Sequence, residues 1–178
     1  MLTLSGCGVN KVESNKENEL IMAIGSEPEE GFDPCNGWGR YGSPLFQSTL
    51  IDTDHNMDIA YDLATEYDIS NDGLIWTFKL RDDAYFTDGE KVKAEDVVFT
   101  FETAKNSGSI VDLTNMESIS SISDTEVEFK LKKPDSSFIY TIAATGIVPK
   151  HVYGPNYGDN PIGSGPFVLV QWDKGQQI

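Results

Sequence analysis

A mixed α/β fold, α+β in its local order and built on a largely antiparallel sheet, is what this sequence predicts. Three observations carry that expectation. Leu74, Trp76, Phe78 and Leu80 alternate with Ile75, Thr77, Lys79 and Arg81, which is the two-residue period of a strand with one buried face. Just before it, Asn71-Asp72-Gly73 is a hairpin turn that would fold the strand Tyr67–Ile69 back onto it. Beyond the Asp88-Gly89 turn a helix follows. Glu95 and Asp96 suit the positive end of its dipole, and Val97, Val98, Phe101 and Ala104 make one apolar face.

The remaining elements follow in order. Residues 31–44 combine Gly31, Pro34, Gly37, Gly39, Gly42 and Pro44 with several large side chains, a composition that reads as a structured loop. Ser43 and Pro44 predict the cap and first position of a helix running to Leu50. Asn106 and Gly108 end the helix that begins near Ala94. A weaker strand near Ile119 leads through the Ser123-Asp124 turn into another, where Val127, Phe129 and Leu131 alternate with Glu126, Glu128 and Lys130. Ser136–Ala144 predicts a short helix after Pro134, Pro149–Tyr153 the start of another, and Phe167–Trp172 a strand. No internal repeat or low-complexity tract interrupts this order.

Composition narrows the function. With 29 acidic against 13 basic residues and a formal charge of −16, the surface repels phosphate backbones and anionic lipid headgroups, so nucleic acid is not an expected partner. The 39% hydrophobic content is that of an ordinary globular domain, and no apolar run reaches the length that spans a bilayer. Catalysis has no foothold. His55 and His151 are far apart, and Gly163-Ser-Gly165 lacks the G-x-S-x-G frame of a nucleophile elbow. Gly37-x-Gly39-x-x-Gly42 follows Pro34 rather than a strand, against a dinucleotide loop; Asp68–Gly73 imitates a calcium loop but places Lys79 where a bidentate Glu belongs. No enzyme activity, cofactor or resident metal is expected.

The loop holds the candidate binding residues. Trp38, Arg40 and Tyr41 offer flat apolar area, a donor fork for a carboxylate and a ring-borne hydroxyl, with Cys35 beside them. The same Trp38 and Tyr41 could instead plug a joint between lobes.

Several motifs together resemble the family 5 extracellular solute-binding proteins, the peptide, oligopeptide and nickel binding subunits of ABC importers. Trp76-x-Phe78-x-Leu80-Arg81, Phe86-x-Asp88-Gly89 and Ala94-Glu-Asp-Val97 are similar to the family's central signature. Gly31-Phe-Asp-Pro34, Asp62-Leu-Ala64 and Pro161-Ile-Gly-Ser-Gly-Pro-Phe167 add matching segments in matching order. Departures are Lys93 where Thr or Ser usually caps the helix, Ser164 for Thr, and Asp62 for Pro; the lost cap is expected to weaken the helix start by about 1 kcal/mol. The resemblance implies a periplasmic-binding-protein-like fold of type II, two-lobed at full length, with only the first part of lobe I in this chain. It implies a cleft-facing loop within 19–46, a smaller subdomain of lobe I over 47–165, and a strand over 166–178 that re-enters the larger lobe, after which the chain is cut.

The beginning of the chain agrees with export. Leu4-Ser-Gly-Cys7 matches a lipobox, so 1–7 reads as the remnant of a signal peptide with Cys7 as the lipidation site, and 8–18 as a flexible polar tether. Cys35 is then a lone thiol, or pairs with Cys7 in a disulfide. The expected protein is a monomeric, extracytoplasmic lipoprotein that captures peptides and delivers them to a permease with ATPase partners. Nickel chelates are the alternative ligand, with Arg40 on a chelator carboxylate, Trp38 stacked on the complex, and His55, His151 or Cys35 as ligating candidates that lack metal-ligand spacing. A peptide-signal sensor without transport is the alternative from another class.

Overall fold

Strands form where the sequence alternates. The computed structural model describes residues 28–178 other than 41, 43, 57 and 109. Two short strands, β1 (Ile51–Thr53) and β2 (Ile59–Tyr61), pair as a hairpin. The principal sheet contains β3 (Ala64–Ile69) and β4 (Ile75–Leu80), followed after helix α1 (Ala94–Asn106) by β5 (Met116–Ser123) and β6 (Glu126–Leu131). Its order is β3-β4-β6-β5 and every pairing is antiparallel, as expected. Gly73, at φ +71°, closes the β3–β4 turn, and Asp72 accepts from Leu74 N–H at 3.1 Å. Both outer strands are irregular: the register slips between Ala64 and Glu66 in β3, and twice within β5.

One face of the sheet makes the core. Trp76, Phe78 and Leu80 of β4 and Val127, Phe129 and Leu131 of β6 are all buried, and Val97, Phe101 and Ala104 of α1 join the same core, with the helix lying over β5 and β6. The second helix, α2 (Phe138–Ala143), closes one end by setting Phe138 edge-on to Trp76 at 6.0 Å and to Phe129 at 5.7 Å.

The start of α1 repairs its own missing cap. Lys93 has no acceptor to offer and makes no side-chain cap bond. Asp96, three residues into the turn, accepts from Lys93 N–H at 2.9 Å and from Lys150 N–H at 3.0 Å. Burial pushes the Asp96 carboxyl above the usual carboxylate range, with these two donors pulling against it. Asp96→Ala would leave two backbone donors unmet, and the expected loss is about 3 kcal/mol in urea denaturation. Asp96→Asn, which keeps one acceptor, should lose clearly less; equal losses would refute this account.

Three expected elements differ. Residues 44–50 are not helical, and Leu45 stands at φ +57°. Their carbonyls serve distant donors instead of the next turn: Leu45 O takes Phe167 N–H at 3.3 Å, Phe46 O takes Gly165 N–H at 2.9 Å, Ser48 O takes Ile147 N–H at 2.8 Å and Leu50 O takes Ala64 N–H at 2.8 Å. Ser43, the expected cap, lies outside the described residues. The Pro149–Tyr153 segment makes a single turn, closed by Tyr153 N–H to Pro149 O at 3.1 Å, and stops where Gly154-Pro155 cannot continue a helix. Residues 167–172 form no ladder with any described strand, and Val170 is 93% exposed.

Candidate functional site

The loop after Gly31 is organised around Asp33. This residue caps a 3-10 turn, Pro34–Asn36, that Gly37 ends at φ +100°. Its Oδ1 accepts from Cys35 N–H at 2.9 Å, and its Oδ2 from the Asn36 amide at 3.1 Å and from the Tyr153 hydroxyl at 2.7 Å. Its main-chain oxygen accepts from Asn36 N–H and Trp38 N–H, both at 3.0 Å. Burial pushes the Asp33 carboxyl up, against the pull of these donors.

Trp38 leaves this hub half-buried. Its indole N–H donates to Pro44 O at 2.7 Å, and its ring meets Phe32 edge-on at 4.8 Å. Phe32, fully buried, also receives Phe46 at 5.1 Å and Trp172 at 4.8 Å. Part of Trp38 thus packs within the loop's own framework, while its remaining surface is open.

Arg40 is exposed at the rim of a shallow concavity of about 210 Å³ that Ile110, Val111, Tyr140, Thr141 and Thr145 also line. Loop and concavity are in contact, because a Cβ on Gly37 would stand 2.6 Å from the Ile110 side chain. Tyr140 and Ile110, 49% and 53% exposed, are large apolar surfaces open to solvent beside a guanidinium. Asp112 is held below the usual carboxylate range by the Thr114 hydroxyl, with the Arg40 charge adding a smaller pull. The arrangement offers a shallow, largely apolar, hydrogen-bonding surface with one fork-shaped cation.

The other sequence candidates fall elsewhere. Cys35 is wholly buried, with its Sγ 3.6 Å from Thr100 O of α1, and burial pushes its thiol far up; the sulfur fills the core instead of facing a ligand. Tyr41 and Cys7 lie outside the described residues, as does the Cys7 half of the alternative disulfide. His151 pairs with Asp88 at 2.7 Å, and His55 stands in an exposed turn. Among the described residues no cluster of His, Cys, Asp or Glu is placed to hold a metal ion, and no helix is long and apolar enough to cross a membrane. Sequence reasoning missed Ile110, Val111, Tyr140, Thr141 and Thr145, since no local motif ties the end of α1 and the length of α2 to Arg40.

The sheet, helices and loop define a mixed α/β unit of the periplasmic-binding-protein-like class. NikZ from Campylobacter jejuni, solved with Ni(L-His), superposes with a TM-score of 0.77 at 33% identity over 84% of this chain and 32% of that one. Residues 58–178 match the family model for bacterial extracellular solute-binding proteins, family 5 Middle. The chain belongs to the family 5 bacterial extracellular solute-binding proteins, as its motifs led us to expect.

Relatives by sequence agree. Protein XP55 of Streptomyces lividans is 32% identical over 170 residues, 89% of this chain and 31% of that protein. The oligopeptide-binding protein AppA of Bacillus subtilis is 32% identical over 151 residues, 75% of this chain and 27% of that protein. Its structure with a nonapeptide matches at a TM-score of 0.67 and 30% identity, over 74% of this chain and 29% of that one. This chain spans about a third of the length of these relatives, or somewhat less.

Proposed function

We propose that this chain is the first part of lobe I of an ABC-importer substrate-binding subunit that captures short peptides, anchored outside the cell membrane through a lipid on Cys7. The observation that carries the reading is the glycine-bounded loop that sets Arg40 beside the surface of Ile110 and Tyr140, with the half-buried Trp38 two residues before it. Its aromatic and aliphatic faces suit peptide side chains, and its guanidinium suits a terminal or side-chain carboxylate. Tyr41, next to Arg40 in sequence, joins this set. Likeness to an oligopeptide-binding protein supports the same ligand class.

The action is capture, not conversion. A ligand that touches both lobes favours the closed population, and the closed form docks on a permease whose ATPase partners drive import. The protein acts as a monomer and takes no cofactor.

A nickel chelate is the second reading, favoured by the likeness to NikZ solved with Ni(L-His). Native mass spectrometry with metal analysis on the full-length protein, gently purified from its source, separates the two. A series of co-purified peptide masses supports the first reading; stoichiometric nickel with a small chelator overturns it in favour of the second. For peptides, Trp38→Ala and Arg40→Gln should each weaken binding on the order of tenfold in calorimetry. Unchanged affinity in both variants would remove this loop from the site.

A further inference from the structure

The loop bearing Trp38 and Arg40 is held by a residue from far along the chain. Tyr153 donates its hydroxyl to Asp33 Oδ2 at 2.7 Å across 120 positions of sequence. Its ring is fixed between Phe99 of α1, edge-on at 5.2 Å, and Tyr157 at 5.1 Å. The three side-chain and backbone donors to the Asp33 carboxylate described above are all uncharged, so the buried charge depends on their geometry. Tyr153 itself keeps its proton, since burial and the neighbouring acidic groups push its hydroxyl far up. On the other side, Phe32 is pinned through its N–H to Gly158 O at 2.8 Å and through its carbonyl to the Gln47 amide at 3.1 Å.

We propose that the Asp33–Tyr153 hydrogen bond is a positioning latch: it holds the Asp33 hub whose main chain orients Trp38, so that two residues outside the ligand surface set ligand affinity. The claim rests on the binding role given to this loop. Asp33 and Tyr153 touch no ligand in this scheme. Tyr153→Phe removes one oxygen and leaves the ring packing in place. Asp33→Asn keeps an acceptor for Cys35 N–H but can no longer accept from both Asn36 and Tyr153 through a second oxygen.

The test uses the full-length protein with Tyr153→Phe, Asp33→Asn and the double variant. Three readouts are followed: the Trp38 indole N–H resonance, assigned by its loss in Trp38→Phe; calorimetric binding of a pool of random-sequence short peptides; and thermal stability. A latch predicts faster exchange of the Trp38 indole proton and affinity weakened on the order of fivefold to tenfold in each single variant, with the double variant no worse. Val127→Ala, a core change remote from the loop, should lower the melting temperature and leave the Trp38 resonance alone. If Tyr153→Phe lowers stability yet leaves both the resonance and the affinity unchanged, the bond is merely structural and the latch is refuted. If Asp33→Asn does not fold, Tyr153→Phe alone decides. Should the parent bind no peptide while the Trp38 resonance still responds to Tyr153→Phe, peptide capture fails and the positioning role of the latch stands.

Discussion

Gly163→Ala is expected to destabilise the protein by about 4 kcal/mol or more, or to prevent folding altogether. A Cβ at this position would stand 1.8 Å from Phe46 O and 2.6 Å from Phe46 C. Both atoms belong to the backbone, so no side chain can rotate out of the way. The two segments would have to part, and the bonds from Gly165 N–H to Phe46 O at 2.9 Å and from Thr87 N–H to Gly163 O at 2.9 Å depend on that approach. Urea denaturation, or the yield of soluble protein, reads the result. A variant within about 1 kcal/mol of the parent would mean that the crossing is looser than described.

Phe129→Ala should cost about 3–5 kcal/mol. Phe129 is fully buried at the centre of an aromatic cluster, edge-on to Phe101 at 4.9 Å, to Phe78 at 5.7 Å and to Phe138 at 5.7 Å. It therefore joins two strands and both helices, and truncation opens a cavity that none of the four elements can fill alone. Ile122→Ala, on the same sheet but 56% exposed, should stay within about 0.5 kcal/mol. A small loss at Phe129 would show that the helices can collapse onto the sheet.

How far the sequence could be read depended on where each segment finds its hydrogen-bond partners. The β3–β4 hairpin and α1 bond within themselves or to an adjacent strand, so alternation, Asn71-Asp72-Gly73 and the acidic turn at Glu95 and Asp96 were enough to place them. Residues 44–50 carry a sound local helix start in Ser43-Pro44, yet their carbonyls bond to segments around residues 64, 147 and 165. Long-range demand overrode local propensity there. Phe167–Trp172 has a strand's composition but no described strand beside it, and alternation alone cannot supply a neighbour.

The candidate site divides in the same way. Turn chemistry around Gly37 and Gly39 marked the loop, and with it Trp38 and Arg40. Its partners Ile110 and Tyr140 came from separate elements that only the fold brings together. Proximity in sequence to the loop says nothing of the direction in which Cys35 points. The burial of this side chain, five residues before the exposed Arg40, is decided by α1, which covers it.

The slipped registers of the two outer strands bear on how the protein behaves when crowded. A strand from another molecule that tried to extend the sheet along β5 would meet donors and acceptors that fall out of step twice, between Met116 and Ser118 and between Ser121 and Ser123. Along β3 it would meet the exposed carboxylates of Glu66 and Asp68 beside a further slip. Together with a net charge of −16, these edges disfavour sheet-to-sheet pairing between copies of the chain, so that crowding does not readily seed fibrils.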